Sequence, residues 1–486
     1  MPRLAFLLAS VFAFASCHWF DQDNPQSCER RENLGQGPCP DAPTNGGSCK
    51  SNVDCMRDSS FPVCDLADNQ GICVVCTADD HHACVGTTPR CEDHECVACV
   101  DDNDCKDTTG TAGVCLPTGG CADPQSIIHA LSSGGSTAST CGGIGVGNAC
   151  TLDAALTLPK SPTRNIIKLD DAGPYISTMN NFVVNTDAAI ELTIDARGAA
   201  LQKNNDGAIL TIMSSKSTNK AVTILGGAIQ DATGSGGDGI QCAANATLNL
   251  YGTIITNNEE SAIIATNCTL TVSGADIHGN STKLGTSVYP GIQIMGGSIT
   301  ISRTSIATNR GGGLVLTSNA KFQIVGNVFF SNGDIIGNVG GLSINTTGSG
   351  NRLEFNTITQ NTCDMTLAAG VQCSLSGFTA QNNIIWNNNS APGLVGIQIF
   401  GNCIHAYSDL GPANIPTVND TQNTHNNLNT SPSFMNDLLD LHLQAGSMVR
   451  GKANPTTDLT GIASKDMDGK PRVSPADLGA YVAPPQ

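Results

Sequence analysis

From about residue 125 onward, short runs of alternating apolar residues are separated by Gly, Asn, Ser and Thr, and one motif keeps returning. The pattern Ile-x-x-Asn occurs at Ile255–Asn258, Ile277–Asn280, Ile306–Asn309, Ile358–Asn361 and Ile385–Asn388, with Phe329–Asn332 as a variant. Successive Asn positions lie 22, 29, 23, 29 and 27 residues apart. A second element shares the period, a Gly followed by apolar residues at alternate positions: Gly239-Ile240-Gln241-Cys242, Gly291-Ile292-Gln293-Ile294, Gly313-Leu314-Val315-Leu316 and Gly341-Leu342-Ser343-Ile344. It continues as Gly370-Val371-Gln372-Cys373 and Gly396-Ile397-Gln398-Ile399. Short alternating strands at such a period predict a solenoid, and the lack of helical periodicity excludes ankyrin-like repeats.

Each coil should turn through about three short strands, burying residues such as Ile292 and Ile294 against equivalents one coil away. Asn258, Asn280, Asn309, Asn332, Asn361 and Asn388 are expected at one corner. There Asn tolerates a left-handed backbone, and side-chain amides can hydrogen-bond along the stack.

Composition adds a second region. The chain has 486 residues, 22 Cys, 53 Gly, 4% aromatic and 14% charged residues, and a formal charge of −18. That length calls for two or more structural units. The acidity excludes nucleic acid as a partner, because phosphate binding needs a basic face.

Fourteen cysteines fall between Cys28 and Cys121, twelve of them in three similar units. These are Cys49, Cys55, Cys64 and Cys73; Cys76, Cys84, Cys91 and Cys96; and Cys99, Cys105, Cys115 and Cys121. Zinc ligation and a disulfide framework both fit their CxxC junctions. Residues 1–16 read as an export signal, with Arg3 before an apolar run from Leu4 to Phe14. Export into an oxidising space decides for disulfides, with the pairing left open. Residues 17–123 also carry 19 Asp+Glu against 6 Lys+Arg. Asp101, Asp102 and Asp104 offer closely spaced oxygens for a Ca²⁺ ion, or form a solvated acidic loop.

Several segments carry family resemblances. Phe14-Ala15-Ser16-Cys17 resembles a bacterial lipobox, which would make Cys17 the acylated first residue of an outer-membrane lipoprotein. Ordinary cleavage after Ala15 would leave a secreted protein instead. The cysteine units resemble the Cys-rich repeats of myxobacterial surface proteins. The coil pattern resembles the right-handed parallel β-helix of the pectin-lyase-like superfamily. Cys150-Thr151-Leu152-Asp153-Ala154-Ala155-Leu156 is similar to the short helix that caps such domains. Leu441-His442-Leu443-Gln444, Asp466-Met467-Asp468-Gly469-Lys470 and Asp477-Leu478-Gly479-Ala480-Tyr481 resemble the C-terminal signature of bacterial surface β-helix proteins. The expected fold is therefore all-β, a right-handed parallel β-helix solenoid behind an N-terminal disulfide-rich, loop-dominated region. Expected boundaries are 1–16 signal peptide, 17–123 Cys-rich repeats, 124–140 linker, 141–402 β-helix, and 403–486 C-terminal excursion and cap.

Chemistry is sparse along the coils. Residues 239–400 hold five Lys+Arg, six Asp+Glu and one His. Glycoside hydrolysis needs two carboxylates flanking the bond, and a lyase needs a base with cations to neutralise the uronate. Asp276 and His278 flank inward Ile277 and form the best acid/base pair. Arg310, beside three glycines, is a possible substrate contact or a turn residue. His405 and Asp409 fall in a loop after the last coil. Val328, Phe330, Ile384 and Trp386 should face outward, where Phe330 and Trp386 could stack sugars unless the returning chain covers them. Among the remaining cysteines, Cys141–Cys150 and Cys363–Cys373 are expected as loop disulfides, leaving Cys242 as a buried free thiol candidate. The functional expectation is a surface-exposed lipoprotein, monomeric, anchored by lipid, whose non-catalytic β-helix binds or scaffolds polysaccharide. No cofactor is expected beyond possible Ca²⁺. A polysaccharide lyase or glycoside hydrolase and a protein-binding adhesin are the alternatives.

Overall fold

A computed structural model describes residues 49–55, 63–66, 71–77, 84–106, 113–186, 190–215, 220–283, 287–337, 339–346, 350–364, 367–374, 378–391, 394–412 and 426–484. The signal segment, Cys17, Cys28 and Cys39 lie outside them. The chain divides into two compact units, residues 1–122 and 123–486.

In the first unit each four-cysteine repeat pairs its first Cys with its third and its second with its fourth. The bonds are Cys49–Cys64 and Cys55–Cys73, Cys76–Cys91 and Cys84–Cys96, then Cys99–Cys115 and Cys105–Cys121. Buried positions here are mostly the cysteines themselves, joined by Val63, Val74 and Val114. Cross-links take the place of an apolar core. The carboxylates considered for Ca²⁺ have backbone partners. Asp101 Oδ1 accepts the N–H groups of Asn103 and Asp104 at 2.7 and 3.3 Å. Asp104 Oδ2 accepts from Val100 at 2.7 Å, and Asp102 Oδ1 accepts from Cys115 at 2.9 Å. They close a capped 3-10 turn over Asp102–Cys105.

The second unit is a right-handed parallel β-helix. Its coils contribute, among the described residues, to eleven-, ten- and nine-stranded parallel sheets. One coil runs Thr269–Ser273, Asp276–His278 and Ile292–Met295, and the next begins at Ser298. Alternation turns one apolar column inward: Ile255, Ile277, Ile306, Phe329, Ile358, Ile385 and Leu410 stand in register across seven coils. Burial of such side chains contributes roughly 1.5–3 kcal/mol each. The repeated Gly has a steric cause. A Cβ on Gly313 would stand 2.5 Å from the Gly341 oxygen, and one on Gly341 2.6 Å from the Gly370 oxygen, so only glycine lets the coils approach.

The six asparagines form a buried ladder in which each Nδ2 donates to the next Oδ1. Asn258 reaches Asn280 at 2.8 Å and Asn280 reaches Asn309 at 2.9 Å. The chain continues through Asn332, Asn361 and Asn388 and ends on Gln398 at 2.8 Å. The left-handed backbone falls one residue earlier, on Asn257, Gly279, Thr308, Ser331, Gln360 and Asn387. That step leaves the ladder side chain aimed into the stack. A second ladder, Asn327 to Asn356 to Asn383, runs along the opposite ends of the same strands.

The solenoid begins earlier than the resemblance implied. Ile127–Ala130, inside the expected linker 124–140, pairs in parallel with Ile166–Leu169 as the first strand of the eleven-stranded sheet. The helix Leu152–Thr157 follows, with the Thr151 hydroxyl accepting from the Ala154 N–H at 3.2 Å, and buries Leu152 and Ala155 against the core. At the other end Ile404–Ala406 and Asp409–Gly411 form a last coil beyond residue 402. The chain from 428 onward then packs Phe434, Leu441, Leu443, Val449, Leu478 and Ala480 over outward Val325, Val328, Phe355 and Ile384.

Three disulfides staple the solenoid: Cys141–Cys150, Cys242–Cys268 and Cys373–Cys403. Cys242 is therefore bonded, and Cys363 is the buried free thiol. The expected Cys363–Cys373 bridge does not form. Cys373 is bonded to Cys403 instead, which leaves Cys363 without a partner sulfur among the described residues.

Candidate functional site

Where the ten-stranded sheet runs under the C-terminal cover, the alternation of Ser305-Ile306-Ala307 and Val328-Phe329-Phe330 leaves Ser305, Ala307, Val328 and Phe330 facing out. Beside them stands a hairpin, Phe434–Asn436 paired antiparallel with Asp440–Leu443. Its tip is held by the Asn436 side chain, which accepts from the Leu438 N–H at 3.0 Å. Leu438, Leu439, Asp440, Leu441, His442 and Tyr481 complete the wall of a cleft of about 170 Å³. Leu438 and Leu439 expose most of their side chains at its rim.

His442 organises that wall. Its Nδ1 lies 2.5 Å from Asp440 Oδ1, and its Nε2 lies 2.8 Å from Asp468 Oδ2. Asp468 also accepts from Lys470 at 3.0 Å, and the Tyr481 ring lies against the imidazole with centroids 4.1 Å apart. Partial burial works to lower the His442 pKa, but the hydrogen bonds to Asp468 and Asp440 outweigh it and hold the imidazole above its usual value. Burial pushes the Tyr481 hydroxyl up to about 12, so it stays a neutral phenol. The cleft thus combines ring faces, the hydroxyls of Ser305 and Tyr481, and a hydrogen-bonded His–carboxylate group.

The residues singled out from sequence are dispersed. Asp276 and His278 sit one coil from Ser305 and Ala307 on the same outer face. His278 Nδ1 lies 3.2 Å from Asp276 Oδ2 in a half-exposed pair. Arg310 is a turn residue: its Nε donates to Asp334 at 2.9 Å and its Nη1 to the Lys283 carbonyl at 2.9 Å. His405 and Asp409 are not in a loop; they belong to strands of the last coil and are buried. Burial lowers the His405 pKa to about 4 and raises that of Asp409 to about 7. Of the outward apolar group, Val328 and Ile384 are covered, and Trp386 packs against the same cover. Phe330 alone of the two proposed stacking rings lines the cleft.

Sequence reasoning missed Asp440 and His442 as a site, although the signal was present. Asp440-Leu441-His442-Leu443 alternates, which puts Asp440 and His442 on one side of a strand. It could not show which face that strand would border.

Residues 195–358 and 238–411 match the family model of the right handed beta helix region. No curated protein matches the chain. Among solved structures, the chain is similar to one titled crystal structure of pectate lyase Pel9A, at 13% identity and a TM-score of 0.47, covering 75% of this chain and 98% of that one. After its disulfide-rich repeats, the chain carries a right-handed parallel β-helix, within which residues 195–411 are similar to the right handed beta helix region.

Proposed function

We propose that this protein is a surface-exposed lipoprotein whose β-helix binds polysaccharide without cleaving it. The cleft beside Phe330 and Tyr481 carries this reading. Ring faces stack on the CH surfaces of a sugar, while Ser305 and Asp440 offer polar partners for its hydroxyls. In this reading acylation at Cys17 anchors the chain, and the disulfide repeats link the anchor to the binding domain. Asp276 and His278, one coil from the cleft, are what favours the competing reading of a lyase or hydrolase.

Incubation of the purified protein with neutral and acidic polysaccharides, with and without Ca²⁺, separates these readings. Size-exclusion chromatography follows polymer length, and ultraviolet absorbance follows unsaturated ends. Co-elution at unchanged polymer length is the expected result. Shortened polymer overturns the non-catalytic reading and makes Asp276, His278 and Asp440 the first positions to substitute. For the anchor, Cys17→Ala should release the protein from the membrane fraction, and retention at the wild-type level would rule out lipidation there.

A further inference from the structure

One outward column of the ten-stranded sheet changes character along the stack. Ile254, Asp276 and Ser305 are partly or well exposed, Ile254 at 41%. Their in-register successors Val328, Thr357, Ile384 and Asp409 are buried, Ile384 at 1%. Ala480 N–H even donates to the Thr357 hydroxyl at 3.0 Å, which fastens the cover onto the sheet. Coils are spaced about 4.8 Å apart. A ligand lying along this face therefore meets a wall within about two coils of Asp276, and the cleft sits at that wall.

The cleft's size and charge narrow the ligand further. Its 170 Å³ is well below the roughly 300–1,000 Å³ of pockets that enclose larger ligands, so it has room for one small ring. No Lys or Arg is among the residues that line it. Apart from the neutral Tyr481 phenol, its ionisable groups are Asp440 and His442, bonded to each other, which leaves nothing to neutralise a uronate carboxylate. We infer that the cleft is an end-binding subsite that takes the terminal, uncharged sugar ring of a glycan. This rests on the polysaccharide-binding reading above.

The test is calorimetric titration of the full-length protein with neutral gluco-, manno- and galacto-oligosaccharides, with the corresponding polymers, and with polygalacturonate. End binding predicts one protein per chain whatever the chain length, with per-chain affinity that stops rising beyond short oligomers. Ala307→Trp, which fills the cleft from a strand position, should weaken binding by about tenfold or more. Thr271→Trp, outward on the eleven-stranded sheet, should leave it unchanged and controls for folding. Stoichiometry that grows with chain length overturns the end-binding inference while leaving polysaccharide binding intact. So does unchanged affinity in Ala307→Trp. Binding of polygalacturonate alone overturns the preference for an uncharged ring. Failure to bind any probe overturns both this inference and the reading it rests on.

Discussion

The Asn309 side chain makes four hydrogen bonds within the stack. Its Oδ1 accepts from the Asn280 backbone N–H at 3.2 Å and Nδ2 at 2.9 Å, and its own Nδ2 donates to the Ile277 carbonyl and to Asn332. All of these groups are buried, so Asn309→Ala leaves donors and acceptors without water. Each such group costs roughly 1–3 kcal/mol. Urea unfolding should show a loss of several kcal/mol, whereas Thr271→Ala on an open outer face should cost almost nothing. His442 acts through its charge. Its folded pKa lies above the ordinary value, so its ion pairs stabilise fully below about pH 6.5 and are lost as pH rises through the folded pKa. The melting temperature should therefore fall across that window, and His442→Gln should flatten the fall. An unchanged slope in that variant would place the titration elsewhere.

Elements with a strict period could be read from the chain, and elements held by a partner could not. Ile-x-x-Asn marks strand and ladder together because every coil repeats the same corner. The second ladder had an equal signal, Asn327, Asn356 and Asn383 being 29 and 27 residues apart, and is found once both ends of the strand are aligned. The hairpin at 434–443 has no repeat to reveal it, so the cleft was hidden even though Phe330 was in view. His405 and Asp409 were misplaced because the last coil lacks the Asn corner. Among the described residues, buried Asp409 accepts from the Thr430 N–H on Oδ1 at 3.1 Å and has no hydrogen-bond partner for Oδ2. Its carboxyl is raised to about 7 by burial, against 3.8 when unfolded. Above pH 7 the folded protein therefore bears the cost of a buried charge, roughly 4 kcal/mol at most, and this is relieved as pH falls from 7 toward 4. Asp409→Asn should raise the melting temperature at pH 8 and leave it nearly unchanged at pH 4. Equal shifts at both values would show that the carboxylate has another partner in solution.

The two units of the molecule are stabilised by different means, and a single reagent should tell them apart. Spacing defined the three four-cysteine repeats but not their pairing, because the alternatives differ only in how the chain folds back. The pairing found encloses loops of 12 to 18 residues. Each such bond contributes about 3 kcal/mol by restricting the unfolded chain. The described residues between 49 and 121 have little else, since their buried positions are largely the cysteines. Residues 127–411 bury a continuous apolar column and two amide ladders that do not depend on sulfur chemistry. Reduction and alkylation under native conditions should therefore open the first unit to proteolysis throughout 49–121. A fragment beginning near residue 123 should survive with its β-sheet circular dichroism intact. If that fragment is digested at the same rate as the repeats, then Cys141–Cys150, Cys242–Cys268 or Cys373–Cys403 is holding the coils closed. Cys373→Ala with Cys403→Ala would then identify the last coil as the place where the solenoid starts to unwind.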